Sequence, residues 1–200
     1  MTEQATHTIR VLLAEDDDNA RTLLVDLLNT LGHVVVAEVA TGREAYERAH
    51  ELIPDVVLLD VHMPDGSGIE AAERITRDTP GVAVVLFSGD QALVLSDRDV
   101  EATSAIAFLP KPAPPRVLDS TIRLAAMRAK ELSSARKDAE SSKQQLENRK
   151  VIERAKGILM KQKSIAEDDA YKLMRDLAMD RNRKLIDVAQ QIIDVTDLLG

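Results

Sequence analysis

The sequence that decides the fold is residues 56–68, VVLLDVHMPDGSG. Its first four residues are apolar and two of them are β-branched valines, which is typical of a short strand buried on both faces of a sheet. Asp60 ends this strand, and Met63-Pro64-Asp65-Gly66, which has the composition of a tight turn, follows closely. The stretch therefore predicts a buried strand that carries a carboxylate at its carboxyl end.

Four further apolar runs lie on either side of this stretch, at residues 11–15, 34–39, 82–87 and 105–109. Segments with helical spacing separate them. Each return to a parallel strand needs a crossover helix, so alternating strands and helices indicate a sheet covered on both faces. We predict an α/β fold with a doubly wound, five-stranded parallel sheet.

The amino-acid composition excludes several kinds of functional site. The chain has no Cys, which excludes disulfides, thiolate metal sites and cysteine nucleophiles, and its two Tyr and two Phe provide no aromatic platform for unpaired bases. No apolar run approaches the roughly 18 residues of a membrane span, so we expect a soluble, cytoplasmic protein. The net charge is −8, yet residues 149–163 hold six basic residues and one acidic residue. Any polyanion should therefore bind the C-terminal half.

Polar side chains occur at the ends of several predicted strands. Glu15 and Asp16 end the first strand, Asp60 the third and Ser88 the fourth, and Lys111 follows the fifth. Helix capping explains Asp16 or Ser88 taken singly, but not five polar residues at successive strand ends, which converge on one crevice. Crowded carboxylates favour Mg²⁺, and an aspartate can accept a phosphoryl group as an acyl phosphate.

The motifs AEDD (14–17), LLDVHMPDGSG (58–68), LFSGD (86–90) and LPKP (109–112) resemble the receiver domain of two-component response regulators. The resemblance covers residues 10–115 and implies a flavodoxin-like sheet that is phosphorylated by a sensor histidine kinase. The chain would accept a phosphoryl group and would not act as an enzyme on an external substrate. Family receivers commonly have a cis bond at the Lys-Pro step, here Lys111-Pro112.

The resemblance also implies a role for each site residue. Glu15 and Asp16 would be the metal-binding acidic pair, and Asp60 would be both the phosphoacceptor and a Mg²⁺ ligand. His62 would add its backbone carbonyl to the metal site. Ser88 and Lys111 would hold the phosphoryl oxygens, and Phe108 would be the aromatic residue that rotates on activation.

A long helix is predicted after Pro115, because no proline interrupts residues 116–160. Its expected length is about 45 residues. An apolar stripe recurs every seven residues along it, which predicts a weak two-stranded coiled coil in a linker at 116–145 and a homodimer. A solvated helix packed on its own receiver is the alternative. Residues 1–9 are expected to be disordered. The stripe consists of Leu118, Ile122, Ala125, Ala129, Leu132, Ala139 and Leu146.

Residues 146–200 predict a small three-helix bundle, with apolar stripes at 151–159, 170–178 and 185–193. The segments NRKVIERAKGILM (148–160) and AYKLMRDLAMDRNRKLIDVAQQII (170–193) resemble the ANTAR domain, the RNA-binding module of transcription antitermination regulators. The resemblance implies binding to hairpins in nascent RNA. Candidate RNA contacts, chosen by charge and position, are Arg149, Lys150, Arg154, Lys156, Lys161, Arg175, Arg181, Arg183 and Lys184.

Three other functions stay open at this point. The final helices are compatible with a helix-turn-helix that binds DNA, and equally with a helical module that docks another protein. A phosphatase is a weaker alternative, because the predicted site contains no obvious base to turn over an external substrate.

Overall fold

The computed structural model describes residues 8–64, 66–89 and 107–199. It divides into two compact units, one ending at Ala135 and the other beginning at Arg136. The elements of the first unit, in chain order, are β1 (Arg10–Ala14), α1 (Asp18–Thr30), β2 (Val34–Val39), α2 (Gly42–Leu52), β3 (Val56–Asp60), β4 (His62–Met63), β5 (Gly66–Ser67), α3 (Gly68–Asp78), β6 (Ala83–Ser88), β7 (Ala107–Pro110) and the start of α4 (Pro115–Lys163).

The central sheet has the order β2-β1-β3-β6-β7, and each neighbouring pair is parallel. All five residues of β3 are buried, because helices cover both faces. Successive side chains alternate between two apolar clusters: Leu58 packs in the cluster with α1 and α4, and Leu59 in the cluster with α2 and α3. The predicted α/β fold with a five-stranded parallel sheet is confirmed.

The first residues of the described chain already belong to the core. Ile9, which the sequence placed in a disordered segment, is buried, and its carbonyl accepts a hydrogen bond from Val34 N at 2.9 Å. Ile9 is therefore ordered, because its hydrogen bond to Val34 extends the pairing of β1 with β2 by one residue before Arg10. Residues 1–7 of that segment lie outside the described residues, as does most of the region between β6 and β7, where the sequence predicts another helix.

Helix α4 runs for 49 residues, which confirms the predicted long helix. Its apolar stripe is divided between two environments. Leu118, Ile122, Ala125 and Ala129 are buried in the core of the first unit, whereas Leu132 and Leu146 are 65% and 56% exposed. A coiled coil that starts at Leu118 is therefore wrong, because these side chains already fill the space between α4 and its own sheet.

One polar contact joins α4 to the opposite end of the sheet. The fully buried side chain of His33, which precedes β2, places Nε2 3.0 Å from Asp119 Oδ1. Arg123 Nε donates to the same oxygen at 2.8 Å. The start of α4 is thus held on the sheet by its apolar contacts and by the polar contact between Asp119 and His33.

The second unit contains the end of α4, α5 (Glu167–Asp180) and α6 (Leu185–Leu199). The apolar stripes of the three helices face one another, as the sequence predicts. Within the described part of the chain, every helix is too short or too polar to cross a membrane. The buried core of this unit consists of Ala155, Leu159, Ala170, Met174, Ala189 and Ile193.

Candidate functional site

Three carboxylates meet at the carboxyl edge of the sheet. The parallel register pairs Ala14 with Leu59, so the residues that follow them, Glu15 and Asp60, come side by side. One oxygen from each of Glu15, Asp16 and Asp60 lies within 4.8 Å of the others. Glu15 and Asp60 are buried, whereas Asp16 is exposed. The structure therefore brings together the three side-chain metal ligands that the sequence predicts.

Lys111 lies between the two buried acids. Its Nζ is 2.5 Å from both Glu15 Oε2 and Asp60 Oδ2, and it lies 5.2 Å from the centroid of the Phe87 ring. The Lys111-Pro112 bond is cis, and Lys111 N donates to Ser88 O at 2.7 Å. These contacts fix the backbone of Lys111 beside the end of β6 and direct its ammonium group into the acidic cluster.

Burial and charge oppose each other at this cluster. Burial raises the pKa of Glu15, because it disfavours the carboxylate, while Lys111 acts in the opposite direction. Burial also acts against the charged form of Lys111, but the hydrogen bonds to Asp60 and Glu15 outweigh it and raise the Lys111 pKa. When all four groups are ionised, three negative charges face one positive charge. A divalent cation fits this donor set, since carboxylate oxygens are ligands that Mg²⁺ prefers.

The backbone around Asp60 fixes its carboxylate. Asp60 Oδ1 accepts a hydrogen bond from His62 N at 3.1 Å, while the His62 side chain is exposed. Gly68 N donates to Val61 O at 2.8 Å. A Cβ atom on Gly68 would lie only 1.9 Å from Asp60 O, so only glycine fits this close approach.

Sequence reasoning missed Gly68 and two further residues at the site. Arg21 Nη1 donates to Glu15 O at 2.7 Å from the first turn of α1. Phe87 supplies the ring beside Lys111 Nζ. The GSG ending of residues 58–68 was the available signal for Gly68, whereas nothing local to Arg21 or Phe87 indicates these contacts.

The last two predicted site residues lie on neighbouring strands. Ser88 is fully buried at the end of β6 and is paired with Pro110 of β7. Phe108 on β7 is half-buried, is paired with Leu86, and packs against the apolar cluster on the α2–α3 side. Their contact with a phosphoryl group and the rotation of Phe108 stay predictions.

Several of the predicted RNA contacts are already bound to acids. Lys156 is 8% exposed, and its Nζ donates to Glu153 Oε1 at 2.9 Å and to Glu167 Oε1 at 2.6 Å. Lys156 thereby joins α4 to the first turn of α5, which gives it a structural role within the bundle. Three more candidates have an acidic neighbour. Arg154 Nη2 contacts both oxygens of Asp197 at 3.0 and 3.1 Å, Lys150 contacts Glu147 at 3.3 Å, and Arg175 lies 3.9 Å from Asp176.

The remaining candidates keep their charge uncompensated. All of them are exposed, and none forms an ion pair with the described residues; Arg183 Nη1 instead donates to Gln191 Oε1 at 2.9 Å. Three of the five lie within residues 181–184, the segment between α5 and α6. These residues are Arg149, Lys161, Arg181, Arg183 and Lys184.

Comparison with known proteins identifies both halves of the chain. The family model of the response regulator receiver domain matches residues 11–123, and that of the ANTAR domain matches residues 140–193. The receiver match extends into α4, in agreement with the packing of Leu118 and Ile122 on the sheet.

Individual relatives give the same result. The transcriptional regulatory protein PdtaR of Mycobacterium tuberculosis is 37% identical over 187 residues, which are 92% of this chain and 89% of that protein. The chemotaxis protein CheY of Thermotoga maritima is 37% identical over 116 residues, 56% of this chain and 92% of that protein. The crystal structure of the response regulator domain of CheB from the same organism has a TM-score of 0.54 at 30% identity, covering 60% of this chain and 97% of that one.

The parallel sheet with its acidic cluster is the receiver domain of a two-component system. The chain belongs to the response regulator family, and its output domain is an ANTAR domain.

Proposed function

We propose that this chain is a phosphorylation-controlled regulator that binds hairpins in nascent RNA and acts as a transcription antiterminator. The observation that supports it best is the cluster of Asp60, Glu15, Asp16 and Lys111 in a chain whose other domain is ANTAR. Receiver domains are phosphorylated by sensor kinases, and ANTAR domains bind RNA. The name of PdtaR, a transcriptional regulatory protein, is in keeping with this function.

Asp60 is the proposed phosphoacceptor. One of its carboxylate oxygens attacks the phosphorus of a phosphohistidine on a sensor kinase; the new O–P bond forms an acyl phosphate as the P–N bond breaks. The electron pair of the broken bond stays on the imidazole nitrogen, which takes up a proton. Glu15, Asp16, Asp60 and the backbone carbonyl of His62 would hold a Mg²⁺ ion. When bound, that ion would neutralise negative charge on the phosphoryl oxygens.

Lys111 is the residue that must change partners. Its ammonium now contacts Glu15 and Asp60, and after phosphorylation it would contact a phosphoryl oxygen, while the Ser88 hydroxyl would donate to another. Phe108, which is half-buried on β7, would rotate in response. Because β7 leads directly to α4, this change would reach the long helix and bias dimer formation.

The ANTAR domain supplies the RNA contacts. Phosphate binding by exposed Lys and Arg gives affinity that falls with salt, so the uncompensated residues between α5 and α6 are the best candidates. Lys156 is a poor candidate, since two carboxylates already neutralise it. A dimer would present two ANTAR domains to two hairpins at once and would gain effective concentration from that arrangement.

The test is hairpin binding by the full-length protein with and without phosphorylation. A library of RNA hairpins with randomised small loops is selected on the protein, and affinity for tandem copies of a selected hairpin is measured with Mg²⁺, with or without acetyl phosphate. We expect the affinity to change with acetyl phosphate in the wild type and not in Asp60→Asn.

Four results would contradict the proposal. Acyl-phosphate label retained by Asp60→Asn would place the acceptor elsewhere. A preference for duplex DNA of equal length would indicate a DNA-binding output domain. Failure to select any hairpin, or binding that is independent of salt, would indicate a protein-docking module.

A further inference from the structure

The three helices of the ANTAR domain leave a groove between them. Its volume is about 310 Å³, within the range of about 300–1,000 Å³ that is typical of small-ligand sites. The walls include the aliphatic side chains of Leu177, Ile192 and Val195, and Val195 is 55% exposed. Gln162, Arg181 and Gln191 also line the groove. It is therefore an apolar site with a few polar groups.

The two glutamines offer complementary hydrogen-bonding groups. Gln191 Oε1 accepts from Arg183 Nη1 at 2.9 Å, which orients the amide and leaves its NH₂ group to donate. Gln162 Nε2 donates to Thr196 Oγ1 at 3.4 Å, so its carbonyl oxygen is left to accept. Neither remaining group has a partner within the ranges that the structure describes. A donor and an acceptor on an apolar groove match the edge of a nucleobase, which itself carries both.

The charge around the groove favours a polyanion. Arg181 lines it, Arg183 and Lys184 come next in the chain after Asn182, and Lys161 and Lys163 flank Gln162. In the described residues none of these five cations is paired with a carboxylate, unlike Lys156 and Arg154. Phosphates on either side of a bound base would meet this positive charge.

We propose that this groove binds one unstacked base of the RNA hairpin loop, an inference that rests on the proposed RNA-binding function. The base edge contacts Gln162 and Gln191, the aliphatic side chains cover its faces, and Arg181 contacts the neighbouring phosphate. Sequence-specific recognition of RNA uses bases that are splayed out of loops, and those bases usually stack on aromatic rings. This domain has aliphatic walls at the corresponding place, so base selection depends on the two amides.

The test uses the full-length protein and a hairpin that it has selected. In that hairpin, each loop nucleotide is replaced in turn by an abasic nucleotide, and affinity is measured for the wild type and for Gln191→Ala. We expect Gln191→Ala and one abasic position each to weaken binding about 10-fold, as expected for loss of a good base contact. The two changes together should weaken it no further, because they remove the same contact.

Matched variants separate the groove from the rest of α6 and α5. Gln190→Ala is the control for Gln191→Ala, since Gln190 bonds Asp194 outside the groove. Met179→Asp is the control for Val195→Asp, since Met179 is 67% exposed and does not line the groove. Both controls should bind like the wild type, whereas Val195→Asp should lose about 10-fold or more in affinity. Thermal unfolding of each variant verifies that the bundle remains folded.

Each other result overturns the inference. Unchanged RNA affinity in folded Gln191→Ala and Val195→Asp would mean that no base binds in the groove. The same conclusion would follow if the loss of affinity in Gln191→Ala were additive with the loss at every abasic position. A change of oligomeric mass caused by Val195→Asp, measured by light scattering without RNA, would assign the groove to a second copy of the chain. If no hairpin is selected at all, the proposed function itself fails, and the inference fails with it.

Discussion

Lys111 contacts both buried carboxylates, and its charge makes their proximity tolerable. Removing one charged side chain from a buried ionic cluster leaves another buried charge unpaired. The free-energy cost of that unpaired charge is larger than the net stabilisation that the intact cluster provides. Lys111 thus has two tasks at one position: it balances Glu15 and Asp60 before phosphorylation, and in the proposed function it binds the phosphoryl group afterwards. A lysine suits both tasks, because its compact charge on a flexible stem moves easily between neighbouring oxygens.

Gly68 packs directly against the backbone of Asp60, the proposed phosphoacceptor. In Gly68→Ala the new methyl group would meet Asp60 O at 1.9 Å, so the backbone of β3 or α3 must shift. We expect the free energy of unfolding to fall by about 1–3 kcal/mol, as for other overpacked sites. Because the shift displaces Asp60, labelling by a phosphodonor should also slow. Urea denaturation and the rate of acyl-phosphate formation measure the two effects.

Gly157→Ala is the control for that substitution. Gly157 lies within α4, and apart from the adjoining backbone of that helix its added Cβ would have no atom within 4 Å, so alanine should leave stability unchanged or raise it by about 0.5–1 kcal/mol. Wild-type stability and labelling in Gly68→Ala would show that the Asp60 backbone tolerates the methyl group.

The sequence predicts some site residues better than others for a geometric reason. Asp60 ends a strand, and Glu15 and Lys111 each come directly after one. Parallel strands bring their carboxyl ends to one edge of the sheet, so position in the chain gives position in space. Lys156 shows the limit of this reasoning. Its partner Glu167 lies on the next helix, and neither charge nor helical spacing reveals that contact. The close approach of Gly68 to Asp60 O is likewise visible only in three dimensions.

At the scale of elements, the apolar stripe of α4 shows why a periodic pattern leaves its partner unknown. A seven-residue repeat is typical of a coiled-coil seam, but a helix that packs on a sheet shows a similar stripe. The structure assigns Leu118, Ile122, Ala125 and Ala129 to the sheet. The length of α4 was predictable, because it depends only on the absence of proline and on helix-forming residues.

His33 makes the anchoring of α4 sensitive to pH. Burial lowers the pKa of His33 below its usual 6.5, with Asp119 opposing the shift and Arg123 adding to it. The folded chain then binds this proton less readily than the unfolded chain. The stabilising contribution is therefore complete above pH 6.5 and is lost as the pH falls from there towards the folded-state pKa. We expect the free energy of unfolding to fall more steeply below pH 6.5 in the wild type than in His33→Gln.

Urea denaturation at a series of pH values measures this difference. His50→Gln is the control, since His50 is an exposed histidine in the last turn of α2 and should leave the slope unchanged. Equal slopes for the wild type and His33→Gln would mean that protonation of His33 does not act on stability.

At the scale of the whole molecule, the two domains differ in charge as well as in fold. Residues 1–116 hold nine Lys or Arg and 20 Asp or Glu, whereas residues 117–200 hold 17 and 14. A long polyanion would be repelled by the first domain and attracted only by the second. In the proposed function, phosphorylation adds further negative charge to the first domain, so electrostatics alone would not strengthen RNA binding. A change in the pairing of two chains is a route that does not depend on that charge.

The exposed part of the α4 stripe is the surface available for this pairing. Leu132, Ala139 and Leu146 are spaced by seven residues and are exposed. We expect the phosphorylated wild type to dimerise and the double variant Leu132→Glu/Leu146→Glu to stay monomeric, because like charges would meet along the seam. Affinity for tandem hairpins should then fall by about 100-fold through loss of effective concentration, while affinity for a single hairpin stays the same.

Light scattering measures the mass, and titration with single and tandem hairpins measures the affinities. Leu124→Glu is the control, since Leu124 is 51% exposed on α4 but lies off the seam. A dimer that persists in the double variant would place the chain-to-chain contact elsewhere. Equal losses of affinity for single and tandem hairpins would mean that the leucines act on the RNA-binding surface itself. Loss of dimerisation alone removes only the gain in effective concentration, which a single hairpin does not use.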